Sequence, residues 1–182
     1  MFIQCTMDLD QRIRNAIRDV PDFPKPGILF KDITPVLQDP ALCDAIASAI
    51  SDHFRSSSID AVVGIESRGF LFGMLVAQKL GVPFVPVRKK GKLPSKTLSH
   101  EYSLEYGSAT IEVHEDALPK GARVLIHDDL LATGGTAAAA AVLVSRLGAH
   151  TAGFAFLVGL NFLQGESVIR RHTEDIFTLV SY

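Results

Sequence analysis

From residue 59 onward, unbroken apolar runs rich in β-branched residues alternate with stretches of helical periodicity, and this alternation decides the architecture. The runs are 59–65, 82–87, 123–126 and 154–158. A strand that is apolar on both faces must be covered on both faces, so these strands belong to a parallel sheet with helices above and below. The crossover helices are 69–80, closed by Gly81, and 136–147, closed by Gly148. Glycine stands in both where a helix C-terminus wants a left-handed residue. The expected fold is α/β, with a central, mostly parallel, twisted sheet flanked by helices.

Ahead of this region, Leu9, Ile13, Ile17 and Val20 recur at helical spacing, as do Leu42, Ile46, Ile50 and Phe54 behind Asp39-Pro40. The segment between them carries Pro21, Pro24, Pro26, Pro35 and Gly27, and is therefore extended or turning. The stretch 88–107 breaks the alternation. It holds Arg88, Lys89, Lys90, Lys92 and Lys96 among glycine and proline, with few core-forming side chains, and reads as a mobile excursion. Ala137 to Ala141 read as the face of a closely packed helix.

With 182 residues, 47% of them hydrophobic, one domain is expected. A net charge of -2 argues against a protein built to neutralise nucleic acid. The longest apolar stretch, 152–160, falls well short of the roughly 20 residues of a membrane span. Residues 1–10 lack the basic and apolar regions of a secretory leader, so the cytoplasm is the expected compartment. Cys5 and Cys43 are too few for a disulfide framework and are expected to be reduced and structural.

The strongest chemical signal is the run Val124-Leu125-Ile126-His127-Asp128-Asp129-Leu130-Leu131-Ala132-Thr133-Gly134-Gly135-Thr136. It reads as strand, paired acids, small-residue loop and helix start. In an open parallel sheet, ligands bind where strands end and helices begin. Ala132 to Thr136 can wrap backbone N–H groups around a phosphate at the positive end of the following helix. The two acids cannot bind phosphate, but carboxylates accept from paired ribose hydroxyls. An ordinary turn capped by Thr133 is the plainer alternative. Neither a P-loop nor a dinucleotide glycine motif is present.

The run 128–136 resembles the phosphoribosyl-diphosphate motif of the type I phosphoribosyltransferases. Four further segments make the chain similar to the adenine phosphoribosyltransferases: 23–35 (FPKPGILFKDITP), 64–70 (GIESRGF), 88–94 (RKKGKLP) and 102–107 (YSLEYG). The resemblance implies a single-domain type I phosphoribosyltransferase fold, with 1–35 as a small base-recognising hood and 88–107 as a flexible catalytic loop. It implies transfer of ribose 5-phosphate from phosphoribosyl diphosphate to N9 of adenine, giving AMP and pyrophosphate.

The resemblance also implies residue roles. Ala132, Thr133, Gly134, Gly135 and Thr136 take the 5-phosphate, and Asp128 and Asp129 take the ribose hydroxyls. Glu66, Ser67, Arg68, Arg88, Lys89 and Lys92 meet the pyrophosphate, part of the basic segment serving the neighbouring subunit of a homodimer. Phe30 lies against adenine, while backbone atoms of Leu29 and Lys31 read its edge. Lys31 stands where many relatives carry arginine, so only its backbone role is carried over. Glu105, with Tyr106 beside it, is the proton-handling residue brought in by loop closure. Magnesium is expected to arrive on the diphosphate and water, with no protein ligands. No nucleic-acid or membrane partner is expected.

His127 stands where relatives often carry valine, and is expected to be a satisfied core or subsurface residue rather than a catalytic one. The other five histidines, His53, His100, His114, His150 and His172, show no metal-ligand spacing. Two other functions compete with this reading. A 6-oxopurine enzyme would share 128–136 but not 23–35 or 102–107. A nucleic-acid-binding sensor of phosphoribosyl diphosphate would need length and basic surface that this chain lacks.

Overall fold

A computed structural model of the chain describes residues 8–103 and 107–182, so Cys5, Glu105 and Tyr106 lie outside the described residues. The chain forms two compact units, one ending at Ile46 and the other running from Ala47 to Tyr182.

In the first unit, α1 (Leu9–Ala16) begins at Asp8, whose carboxylate accepts the Leu9 N–H at 2.7 Å. The helical periodicity extends to Val20, yet the helix stops at Ile17, which is extended. Pairing overrides the pattern: β1 (Arg18–Pro21) lies antiparallel to β2 (Leu29–Asp32), with Val20 opposite Phe30. The proline-rich segment is thus partly strand, followed by a 3-10 turn at Thr34–Gln38. Ile13, Ile33, Val36, Leu42 and Ile46 are among its buried apolar residues. Cys43 carries a free thiol. The helix α2 (Pro40–Phe54) starts at the Asp39-Pro40 signal.

The second unit holds a seven-stranded sheet. Its members are β3 (Ala61–Ile65), β4 (Phe84–Lys89), β5 (Thr97–Ser103), β6 (Ser108–His114), β7 (Arg123–Leu131), β8 (His150–Gly159) and β9 (Ile176–Ser181), in the spatial order β5-β6-β4-β3-β7-β8-β9. The five strands from β4 to β9 along that order are parallel, and β6 and β5 add an antiparallel edge. The central strands carry apolar side chains on both faces, as the sequence runs required; every residue of β3 is buried. The crossover helices are α3 (Gly69–Leu80) and α4 (Gly135–Arg146), and Gly81 takes the left-handed conformation at the end of α3. Ala137 to Ala141 are all buried on α4, so small side chains bring that helix close to the sheet. A short helix, α5 (Gly165–Ile169), follows β8.

Two differences from the sequence reading bear on the site. The strand expected at 123–126 continues through the acid pair to Leu131, because its ladder with β8 runs on to the pairing of Leu131 with Gly159. The basic excursion contains strand β5, paired in unbroken register with β6 from Thr97↔His114 to Ser103↔Ser108. Leu98 and Tyr102, four residues apart on one face of β5, pack against the core and supply the apolar contact that the segment's composition hides. Among the described residues, no helix is long and apolar enough to cross a membrane.

Candidate functional site

The site forms where β3 and β7 end and α3 and α4 begin, along the C-terminal edge of the parallel strands. At α4, the N-cap is Gly134, in the left-handed conformation (φ 79°), and no side chain caps the helix. The plainer reading, in which Thr133 caps α4, is therefore not what the chain adopts. The first-turn N–H groups are left to an outside acceptor, and the helix dipole favours an anion there. A small concavity of about 70 Å³ at this point is lined by Asp128 and by Leu130 to Ala137.

The loop owes its shape to α5. A side chain on Gly134 would run into the Gly165 carbonyl, and one on Gly165 would run into the Ala132 carbonyl. Backbone packs directly on backbone, and only glycine permits that approach. Gly165 follows no motif, so local sequence offered no signal for its role.

Asp128 is half-buried and lines the concavity, whereas Asp129 is 3% exposed. The Asp128 carboxylate accepts the Asp129 N–H at 2.9 Å. Arg68, one residue ahead of α3, places Nε 3.0 Å from Asp129 Oδ2. Burial pushes the Asp128 carboxyl well above the ordinary range and Asp129 pushes it further, while Arg68 pulls it back. Burial also raises the Asp129 carboxyl, again opposed by Arg68. Burial and mutual repulsion thus make this pair hold a proton more readily than free carboxyls do, and Arg68 opposes that tendency.

On the other flank, Glu66 organises the basic segment. Its Oε2 accepts from Arg88 Nε at 3.1 Å and from the Lys89 N–H at 3.0 Å. Burial alone would raise this carboxyl, but the Lys89 N–H and the Arg88 guanidinium outweigh it and hold it below the ordinary carboxylate range. The Glu66–Ser67 peptide is cis. A cleft of about 510 Å³ joins the two flanks, with Glu66, Lys89 and Lys90 at one side and Asp128 and Thr136 at the other. Tyr102 also lines it, with its hydroxyl 3.0 Å from Thr136 Oγ1. The arrangement can hold two separate anionic groups with hydroxyl-accepting carboxylates between them. Tyr102 opens the 102–107 segment, and its contact with Thr136 depends on the β5–β6 pairing, which hydrophobic periodicity does not reveal.

Leu29, Phe30 and Lys31 all lie on β2 in the first unit. Leu29 is exposed, Phe30 is half-buried with its ring 5.1 Å from that of Phe23, and Lys31 is buried with Nζ 2.7 Å from Asp19 Oδ1. The Lys31 side chain is thus committed to an ion pair within its own hairpin.

His127 is fully buried on β7, with its ring toward Gly73 of α3. It is a core residue, as expected, with the Ala155 backbone beside its ring but no hydrogen bond of normal geometry among the described residues. Burial lowers its pKa to about 4.

Residues 32–180 match the phosphoribosyl transferase domain family. An adenine phosphoribosyltransferase of Myxococcus xanthus is 54% identical over 175 residues, which cover 96% of this chain and 92% of that one. The chain belongs to the adenine phosphoribosyltransferase family. The crystal structure of the Thermoanaerobacter pseudethanolicus member has a TM-score of 0.92 at 47% identity, covering 96% of this chain and all of that one. The Saccharomyces cerevisiae member, complexed with D-2,5-dideoxy-2,5-imino-altritol 1,6-bisphosphate and adenine, has a TM-score of 0.88 at 43% identity, covering 94% and 98%.

Two stability predictions follow from the packing. Gly165→Ala should cost about 1–3 kcal/mol, because the backbone of the loop must shift to admit the methyl group. Gly135→Ala, whose added carbon would meet nothing nearer than 3.7 Å, should stay within about 0.5 kcal/mol of the parent. Urea unfolding of both variants checks the contrast, and equal losses would contradict it.

His127 couples stability to pH. The unfolded imidazole titrates near about 6.5, above the folded value, so the unfolded chain takes up the proton first as pH falls. The stabilisation is complete above about pH 6.5 and is lost as pH falls toward the folded value of about 4. Between about pH 7 and pH 5 this group alone should remove about 2 kcal/mol. The stability of His127→Val relative to the parent should therefore rise by about 2 kcal/mol between about pH 7 and pH 5, whereas parallel pH profiles would contradict the assignment.

Proposed function

We propose that this chain makes AMP and pyrophosphate from adenine and 5-phosphoribosyl 1-diphosphate, as a purine-salvage pentosyltransferase. The observation that carries the reading is the uncapped start of α4 beside a half-buried acid, with a basic flank across a continuous cleft. That order matches a 5-phosphate, a ribose and a diphosphate in one molecule. Family membership supports the same reaction, as does the yeast relative's complex with adenine and an imino-sugar bisphosphate.

In this reading, the N–H groups from Ala132 to Thr136 take the 5-phosphate, with the Thr133 and Thr136 hydroxyls as additional donors. Asp128 takes the ribose hydroxyls. Asp129 joins it when the donor's diphosphate draws Arg68 away, a trade of one anion for another at the same guanidinium. Breaking the C1–O bond leaves oxocarbenium-like charge on the ribose and negative charge on the departing diphosphate. Ser67, Arg68, Arg88, Lys89 and Lys92 stabilise that leaving group, and Glu66 holds Arg88 and the Lys89 backbone in place for it. Catalysis on these terms is positioning and electrostatics.

Adenine stacks on Phe30 and is read by the backbone of Leu29 and Lys31; a 6-oxopurine reverses the donor and acceptor and leaves those groups unpaired. Glu105, with Tyr106 beside it, is the proton-handling residue: N9 loses its proton as it attacks, and N7 can be helped by a nearby acid. The donor enters as its magnesium complex, magnesium offsetting diphosphate charge; the Glu66 carboxylate on the basic flank is already engaged by Arg88, which suits an anion carrying its own metal. The working form is a homodimer in the cytoplasm, two further parts of the proposal that follow the family resemblance.

Pyrophosphate release with magnesium, phosphoribosyl diphosphate and one base at a time tests the reaction. Turnover is expected with adenine and not with hypoxanthine, guanine, xanthine or orotate; turnover with another base overturns the base assignment. Chelation should stop turnover without lowering the melting temperature, because the metal travels with the substrate. A chelator-induced fall in melting temperature would instead point to a resident ion. Glu105→Leu should lower kcat by about 100-fold or more if it handles the proton, and an unchanged kcat removes it from the mechanism.

A further inference from the structure

Glu112 lies in the middle of β6, between the buried Ile111 and Val113, and is itself only 4% exposed. A carboxylate is a costly group to bury unless its oxygens are fully engaged. Here they are, and by one short stretch of chain. Oε1 accepts the backbone N–H groups of Lys92 at 3.0 Å and Leu93 at 2.9 Å, and Oε2 accepts the Thr97 hydroxyl at 3.3 Å. Glu112 pairs with Arg88 on the β4 side and with Ser99 on the β5 side, so the basic turn that joins those strands folds over its carboxylate.

The far end of the same turn is held differently. Arg88 Nη1 donates to the Lys92 carbonyl at 3.0 Å, while Arg88 Nε donates to Glu66. The Lys92 residue is therefore gripped from both sides, its N–H by Glu112 and its carbonyl by Arg88. The links Glu112, Lys92, Arg88 and Glu66 form one hydrogen-bonded chain from the sheet interior to the loop ahead of α3. Burial alone would raise the Glu112 carboxyl, but the N–H groups of Leu93, Gly91 and Lys92 and the Thr97 hydroxyl together hold it below the ordinary range. It is an acceptor under normal conditions.

We propose that Glu112 is a positioning residue for diphosphate recognition: by fixing the Lys92 and Leu93 backbone, it sets the direction in which Arg88 and Lys92 are presented. The inference rests on the phosphoribosyl-transfer reading for its ligand, but its geometry belongs to this turn alone. Loss of Glu112 would leave the turn folded over a hole with three donors unsatisfied, and the cations would sample directions that the diphosphate does not use.

The test is calorimetric binding of magnesium pyrophosphate, alongside steady-state kinetics. Glu112→Gln keeps the size and one acceptor oxygen, and should weaken pyrophosphate binding and raise the KM for phosphoribosyl diphosphate by about 10-fold, with a smaller change in kcat and in the KM for adenine. Thr97→Val should shift the same constants in the same direction by less. Glu115→Gln, an exposed acid just beyond β6, should shift neither. A purely structural role would lower the melting temperature and the active fraction while leaving the pyrophosphate affinity of the folded protein unchanged. That result, or equal losses for adenine and phosphoribosyl diphosphate, overturns the proposal. If Glu112→Gln does not fold, Thr97→Val carries the test, and unchanged pyrophosphate affinity there overturns it. Failure of wild-type turnover on every base, with pyrophosphate still bound and weakened by Glu112→Gln, would sink the transfer reading and leave this inference standing.

Discussion

The backbone of Gly134 lies against the backbone of Gly165, and the anion-binding capacity of the sheet edge depends on that contact. A loop between a strand and a helix has many ways to satisfy its own N–H groups, including a side-chain cap that would close the helix to ligands. Here the loop is pressed from behind by α5, its turn residue sits in the left-handed region, and no side chain caps α4. The start of α4 is thereby left as a donor surface backed by a buried, alanine-faced helix. Ala137 to Ala141 matter for the same reason, since small side chains let α4 sit close to β7.

The electrostatics show a consistent division of labour. Two acids at this edge are each held by a partner that is itself suited to an anionic substrate: Asp129 by Arg68, and Glu66 by Arg88. Without a ligand, Arg68 and Arg88 each face an internal counter-charge, which limits the repulsion on the basic flank. In the proposed reaction, the diphosphate competes for those cations, and the acids released on the β7 side face ribose hydroxyls. Such exchange is favourable only when the incoming anion brings more charge than a carboxylate, as a diphosphate does.

Much of this was legible from residue patterns. Apolar runs with glycine-terminated helices specify the parallel core, because their covering on both faces has few solutions. The run from Val124 to Thr136 marks strand end, acids and anion loop in one stretch. The edge of the sheet was harder. β5 mixes Ser, His, Glu and Lys-rich neighbours with only Leu98 and Tyr102 facing the core, so its pairing with β6 is invisible to hydrophobic periodicity. Val20 sits at a helical interval from Ile17 but is claimed by the β1–β2 ladder, a tertiary preference that local spacing does not encode. Gly165 and Glu112 act through contacts with distant segments, and nothing in their immediate sequence distinguishes them. His127 was read correctly as core, yet the poor hydrogen-bonding of its ring depends on what surrounds it in three dimensions.

The central claim is an orientation: 5-phosphate on the start of α4, ribose on Asp128, diphosphate on the Arg68 and Lys89 flank. A crystal structure of the chain with AMP tests it most directly. The account requires the AMP phosphate within hydrogen-bond distance of the N–H groups from Thr133 to Thr136, and the ribose hydroxyls on the Asp128 carboxylate. A phosphate bound instead among Arg88, Lys89 and Lys92, with the first turn of α4 left to solvent, would contradict it.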